Sequence, residues 1–149
     1  MKYLEVEHIL EINEAIYRES LKDNKIEYSG RDEYPIKKEK IKKLVEMVPK
    51  DSLIDVATYY LKNIILLQPF PNANHRTALL SAEYFLEING EKLEYSKDEI
   101  TEFHQNLFSI QFKMYKTYEE LGIEVLTEEK NDFYSYCRKF LEDHLTKNN

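Results

Sequence analysis

Residues that favour turns, disulfides or metal binding are scarce in this chain of 149 residues. It contains three glycines, four prolines, one cysteine and no tryptophan. The single cysteine, Cys137, excludes an intrachain disulfide and favours a reducing compartment, so we expect a cytoplasmic protein. No cysteines or histidines have the spacing of a zinc site, and a structural zinc ion is therefore not expected.

Net positive charge and long apolar runs are also lacking. The formal net charge of −7 gives no general attraction to nucleic acid or to an anionic membrane surface. The apolar stretch from Leu53 to Leu67 contains Asp55, Lys62 and Asn63, and it is too short and too polar to span a bilayer. The N-terminal residues lack the uninterrupted apolar core of a signal peptide. We therefore expect no nucleic-acid or membrane partner.

Nearly every segment of the chain shows helical periodicity. A hydrophobic content of 42% over this length is typical of one domain with a buried core. Apolar residues recur at helical intervals in six segments, at about residues 5–20, 37–48, 53–67, 74–89, 97–121 and 127–146. Two short segments with alternating polarity, Lys25 to Ser29 and Lys92 to Ser96, are candidates for a minor β-hairpin. The pattern predicts an all-α, single-domain bundle of about six helices.

The third and fourth helical segments differ from the others because they are apolar on nearly every side. Neither SLIDVATYYLKNIILL nor TALLSAEYFLEI has a wide polar face. Helices of this kind belong in the middle of a bundle, where amphipathic helices surround them. We therefore predict that these two helices form a central helix-loop-helix.

The connection between these two helices is QPFPNANHRT, residues 68 to 77, which we call the polar segment. Pro69 and Pro71 cannot lie inside a helix, and each disfavours helical geometry in the residue before it. The third helix is therefore expected to end near Gln68. The asparagines that follow tolerate unusual backbone angles and are favourable at the start of the next helix.

The start of the fourth helix is a candidate anion site. The first backbone N–H groups of a helix lack intrahelical partners and, together with the helix dipole, favour an anion. Arg76 adds a guanidinium suited to phosphate oxygens. The alternative interpretation is a capped helix after a proline turn, with Arg76 exposed to solvent and no ligand.

The stretch QPFPNANHRTALLSAEYFLEING, residues 68–90, resembles the signature of the Fic/Doc (Fido) family, His-x-Phe-x-(Asp/Glu/Asn)-(Gly/Ala)-Asn-(Gly/Lys)-Arg. It is most similar to the Doc (death-on-curing) branch, in which the motif continues Arg-Thr-Ala-Leu and the helix ends in Asn-Gly. Leu79 replaces the second arginine of AMP-transferring members, as in Doc. The resemblance covers about residues 4–110 and implies one Fic/Doc-like domain, with a core at about 4–120 and an added C-terminal helix at about 127–146.

Membership of this family implies a bundle whose motif joins two central helices. It also implies transfer of a phosphoryl group or AMP from ATP to a Ser, Thr or Tyr hydroxyl of a target protein, with Mg²⁺ as cofactor. The resemblance assigns Gln68 and Arg76 to the catalytic positions and Asn72 to the nucleotide site. It assigns phosphate binding to Asn74, Arg76 and the backbone N–H groups from Ala73 through His75 to Arg76, and a supporting role to Thr77. A separate antitoxin is the implied restraint, because the nearest match to the family's internal inhibitory helix contains a glycine and lacks the final Gly or Asn.

Two positions depart from the family's pattern. Gln68 stands where the family has its general-base histidine, and an amide cannot accept a proton near neutral pH. Asn72 stands at the acidic position and offers only a neutral oxygen, whereas Mg²⁺ favours carboxylates and phosphates. Three outcomes stay open: slow transfer in which Gln68 orients the hydroxyl, His75 as a substitute base, or a nucleotide- or protein-binding module without catalysis.

Overall fold

The structure is a computed structural model that describes residues 1–146, and within them six α-helices and one 3₁₀ helix form one all-helical domain. No helix in this range has both the length and the apolarity needed to cross a membrane. The α-helices are α1 (Val6–Ser20), α2 (Lys38–Glu46), α3 (Leu53–Leu67), α4 (Asn74–Ile88), α5 (Lys97–Tyr115) and α6 (Asp132–His144), and the 3₁₀ helix is η1 (Ile123–Thr127).

Helix α3 lies at the centre of the bundle, as predicted, and every residue from Asp55 to Leu67 is buried. Ser52 begins the helix, because its Oγ accepts a hydrogen bond from the Asp55 backbone N–H. Helices α2, α4, α6 and η1 all pack on α3, while α1 packs on α4 and α5 packs on α6. The polar segment therefore joins the central helix to its main neighbour.

Helix α4 is only half buried, which corrects the prediction that amphipathic helices surround it in the middle of the bundle. Ala78, Ala82 and Phe85 lie on its buried face. On the opposite side Leu80 and Tyr84 are 37% and 36% exposed, and both line a groove of about 360 Å³ beside α1. Three charged residues of α4 line the same groove, so polar positions at helical spacing mark this side in the sequence: Arg76, Glu83 and Glu87.

The predicted β-hairpin is wrong. Lys25 to Ser29 contains no strand, and no strand is present elsewhere in residues 1–146. Leu93, in the second candidate segment, forms a single antiparallel bridge with Leu145. Short alternating segments need a neighbouring strand to pair with, and the bundle brings the end of α6 to Leu93 instead.

Two predicted helix ends are also corrected. Helix α5 ends at Tyr115 and not near Leu121, because Lys116 adopts a left-handed conformation with φ of 60° and its N–H donates to the Phe112 carbonyl. Helix α6 begins at Asp132 and not near residue 127. Its start is set by Asn131, whose side chain accepts a hydrogen bond from the Tyr134 backbone N–H at 3.0 Å.

Candidate functional site

The polar segment turns the chain with two non-glycine residues in the left-handed region. Gln68, directly after α3, has φ of 45° and ψ of 60°, and Ala73, directly before α4, has φ of 62° and ψ of 29°. A non-glycine residue in this region costs about 1–3 kcal/mol and persists only where surrounding contacts hold it. Such residues are enriched at functional sites, which makes the turn the first place to look for one.

Asn74 holds the shape of the turn. The Phe70 backbone N–H donates to Asn74 Oδ1, and Asn74 Nδ2 donates to the Phe70 carbonyl, both at 3.0 Å. Phe70 is buried in the core, so these two hydrogen bonds connect the start of α4 to the interior. The side chain of Asn74 is thus engaged within the turn and is not available to a ligand.

Asn13, in α1, supports the turn from the neighbouring helix, a role that no motif in the sequence indicates. Its side chain is fully buried. Nδ2 donates to the Asn72 carbonyl and to Thr77 Oγ1, each at 3.0 Å, and Oδ1 accepts from the Tyr28 hydroxyl at 2.7 Å. The available signal was an asparagine on the apolar stripe of α1, since buried polar groups are nearly always hydrogen-bonded. Thr77, assigned a supporting role, is buried against it.

Both polar atoms of the Asn72 side chain form hydrogen bonds within the described residues. Oδ1 accepts from the Ala73 backbone N–H at 2.7 Å, and Nδ2 donates to Ser29 Oγ at 2.9 Å. The polar segment contains no carboxylate, and no group of three or more His, Cys, Asp or Glu side chains in residues 1–146 is arranged to hold a metal ion. These residues do not fit a protein-held Mg²⁺ site, so Mg²⁺ would have to enter with the phosphates of a nucleotide.

Three backbone N–H groups at the start of α4 are free to bind a ligand. The N–H groups of Asn74, His75 and Arg76 have no hydrogen-bond acceptor within residues 1–146, whereas that of Ala73 donates to Asn72. The Arg76 side chain is exposed and forms no hydrogen bond or ion pair with the described part of the chain. Free N–H groups at the positive end of a helix dipole, next to an arginine, favour an anion with several oxygens.

The imidazole of His75 is directed at α5. Its Nδ1 lies 3.0 Å from Nδ1 of His104, and its ring stacks on Phe108 with centroids 4.9 Å apart. Burial, together with the nearby His104, lowers the pKa of His75 to about 4, and burial lowers the pKa of His104 to about 4. This placement does not favour His75 as a substitute base and leaves its backbone N–H as its contribution to an anion site.

Gln68 and Arg76 line different cavities. Gln68 Nε2 donates to the Tyr118 carbonyl at 3.0 Å, and the residue lines a crevice of about 210 Å³ with Lys37 and Glu120. Arg76 lines a larger cavity of about 880 Å³, bounded by the α1–α2 connection, α4 and α5. The two positions assigned to catalysis therefore face two separate spaces.

Two lysines hold the Gln68 crevice in place: Lys37, directly before α2, and Lys40, within α2. Lys40 Nζ donates to the Leu67 carbonyl at 2.9 Å and to the Leu121 carbonyl at 2.8 Å, which ties the last turn of α3 to the segment after α5. Lys37 and Lys40 also pair with Glu120. These contacts fix the end of α3 and therefore the position of Gln68.

Comparison with known proteins supports the family assignment. The model of the Fic/DOC family matches residues 3–86, a range that includes α1, α3, the polar segment and nearly all of α4. No curated protein and no solved structure matches the chain. The family match covers more than half of the chain and contains the whole turn described above, so the chain belongs to the Fic/Doc family.

Proposed function

We propose that this protein, as a member of the Doc branch, transfers a phosphoryl group or AMP from ATP to a Ser, Thr or Tyr hydroxyl of a target protein. The observation that carries the proposal is the set of three free backbone N–H groups on Asn74, His75 and Arg76, beside the unpaired guanidinium of Arg76. The phosphates of ATP fit these donors. Arg76 also lines a cavity of about 880 Å³, within the range of about 300–1,000 Å³ that is common for small-ligand pockets, although Asn74 and His75 do not line it.

In this proposal the target hydroxyl reaches the phosphates at the start of α4 with help from Gln68, which lines a separate crevice from Arg76 and must therefore approach the phosphates when the substrates bind. The hydroxyl oxygen attacks phosphorus, ADP leaves in phosphoryl transfer or pyrophosphate leaves in AMP transfer, and the hydroxyl proton goes to solvent. Gln68 orients the hydroxyl by a hydrogen bond. Phosphoryl transfer depends chiefly on positioning and charge stabilisation, and the missing base lowers the rate by about 10² to 10⁴. The expected activity is therefore slow.

A second candidate function is a nucleotide- or protein-binding module without catalysis. It is favoured by the side chains of the polar segment: Gln68 donates to the backbone at Tyr118, both polar atoms of Asn72 are engaged, and His75 packs against α5. None of these side chains supplies a general base or a metal ligand. The free N–H groups and Arg76 remain, and these suffice for binding.

A labelling experiment separates the two functions. Wild type and Gln68→His are incubated with a cell extract and ATP labelled at the γ or the α phosphate. Label on protein with the wild type supports the enzyme, and the labelled position distinguishes phosphoryl from AMP transfer. Label with Gln68→His alone supports the binding module that has lost its base. Absence of label with both variants contradicts transfer to any protein in that extract.

Nucleotide binding is tested on its own by thermal shift with Mg·ATP. Ligand at 100 times its Kd adds about 2.7 kcal/mol of stability. Arg76→Ala is expected to abolish the shift, whereas Arg18→Ala, which removes an exposed arginine on α1, retains it. If ATP produces no shift in the wild type, ATP-dependent transfer and nucleotide binding both fail, and only the protein-binding form of the second candidate is left.

The proposal includes a cytoplasmic location and a separate antitoxin. Its support is the reduced, fully buried Cys137 and the uncovered N–H groups at the start of α4 within residues 1–146. Expression of wild type should slow growth of a host cell, and Arg76→Ala should restore it. Equal growth with both variants would contradict the toxin.

A further inference from the structure

A second crevice lies on the other side of α3 and is not used by the proposed function. Its volume is about 220 Å³, and the α2–α3 connection, α3, η1 and the start of α6 surround it. Lys62 and Asn63 line it although they are only 2% and 1% exposed. Gln68 lies about 9 Å further along the α3 axis, at 1.5 Å per residue, and no residue of the polar segment lines this crevice.

Asn63 has an unused hydrogen-bond acceptor. Its Oδ1 is buried and has no partner within residues 1–146. Native structures seldom leave a buried acceptor unpaired, because its lost hydration is then not replaced. A ligand that donates an N–H or O–H group into the crevice would supply the missing partner.

Lys62 has unused donors beside it. Its Nζ donates a hydrogen bond to the Val125 carbonyl at 2.8 Å, which uses one of the three donors of an ammonium group. Burial lowers the pKa of Lys62, against the influence of Glu128. Glu128 lines the same crevice and offsets part of the cost of this burial, and Asp51 in the crevice is paired with Lys130. Lys62 Nζ itself forms no ion pair within residues 1–146, so an anion in hydrogen-bond contact with it would add the opposite charge.

We infer that this crevice binds a small carboxylate that carries a hydrogen-bond donor on the adjacent carbon, as hydroxy acids and amino acids do. The carboxylate accepts from Lys62, and the neighbouring hydroxyl or amine donates to Asn63 Oδ1. Lys62 and Asn63 both line this crevice of about 220 Å³, so one small ligand can contact both side chains. Tyr59 and Leu126 provide apolar walls for a short carbon chain, and the volume excludes large ligands.

The test uses L-lactate, acetate and propane-1,2-diol as probes, with amide chemical shifts recorded by NMR. Acetate lacks the donor and the diol lacks the charge. Lactate is expected to give saturable shifts at residues 126–128, with an affinity about tenfold or more above that of either other probe, since each hydrogen bond to a charged or buried group is worth about that factor. Equal affinities for lactate and acetate would overturn the inference.

Two variants of similar shape locate the site. Asn63→Leu removes the acceptor and should reduce lactate affinity to that of acetate, while acetate affinity stays unchanged. Lys62→Met keeps the apolar stem and should abolish binding of both carboxylates. Asn106→Leu, which changes an exposed amide on α5, should bind lactate as the wild type does.

The inference fails if wild type shows no saturable shift with lactate, or if Asn63→Leu binds lactate as tightly as wild type. Far-UV circular dichroism and the urea midpoint establish that each variant is folded. If Lys62→Met does not fold, the comparison of lactate with acetate on wild type and Asn63→Leu still decides.

Discussion

The contact between His75 and His104 should make the stability of this protein depend on pH. Both imidazoles are largely buried, and burial lowers the pKa of each to about 4, compared with about 6.5 in an unfolded chain. Between these two values the unfolded state binds more protons than the folded state. The stability that the neutral pair provides is therefore complete above about pH 6.5 and is lost as pH falls toward 4.

The magnitude follows from the two pKa values. For one imidazole the free energy of unfolding falls by about 2 kcal/mol between pH 7 and pH 5, at 1.36 kcal/mol per pKa unit. The two Nδ1 atoms lie 3.0 Å apart, so the rings titrate as a pair and one proton affects the other. The expected loss is therefore about 2–4 kcal/mol. This is a large part of the free energy of unfolding of a typical domain, which is about 5–15 kcal/mol.

The assay is urea unfolding, followed by circular dichroism at pH 7, 6 and 5. The double variant His75→Phe with His104→Leu removes both titrating groups, and Phe at position 75 can still stack on Phe108. Between pH 7 and pH 5 the double variant should therefore lose about 2–4 kcal/mol less stability than the wild type loses. Equal m-values at each pH would show that the comparison concerns stability and not a change in the unfolded state.

His144→Gln provides the matched control. Burial alone would lower the pKa of His144, but the Phe140 carbonyl and Glu99 outweigh it and raise the pKa. The stability that protonated His144 contributes is present at low pH and is lost as pH rises through the folded pKa. This pH dependence is opposite in sign to that of the His75–His104 pair. The control should lose at least as much stability as wild type on acidification. A flat wild-type profile, or an equal loss in the double variant, would refute the argument.

Three further predictions concern stability at other positions. Asn13→Leu removes three hydrogen bonds beneath the turn and should lower the free energy of unfolding by about 2–4 kcal/mol, measured by urea unfolding; a loss no larger than that of Thr77→Val would contradict this role. Burial would raise the pKa of Asp55, but hydrogen bonds from Tyr134, Ser52 and Arg138 hold it well below its usual range. The stability that ionised Asp55 contributes is present above about pH 3.9 and is lost as pH falls below that value. Asp55→Asn should therefore lower the free energy of unfolding by about 1–3 kcal/mol at pH 7. It should also reduce the fall in melting temperature on acidification, and an unchanged fall would exclude the effect. Ser96→Ala removes the capping box with Glu99 at the start of α5 and should cost about 1 kcal/mol, whereas Thr101→Ala, an exposed site inside the same helix, serves as the control; equal losses in calorimetry would disprove a capping role.

The elements around the turn follow from local features of the amino-acid sequence. Ser52 begins α3, and Pro69 with Pro71 ends it at Leu67 as predicted, because caps and prolines act on the backbone within a few residues. The apolar composition of α3 predicted its central place. The contiguous stretch from Gln68 to Gly90 carried the family resemblance, which the match to residues 3–86 then confirmed.

Tertiary structure alone decided which groups the turn leaves free. Asn13 supports Asn72 and Thr77 from 59 and 64 positions away in the chain, and His75 faces α5 because His104 and Phe108 lie there. Gln68 and Arg76 are eight residues apart in the sequence yet line different cavities. Periodicity and caps specify backbone conformation locally, but the direction and partners of a side chain depend on elements that are distant in sequence and meet only when the helices pack.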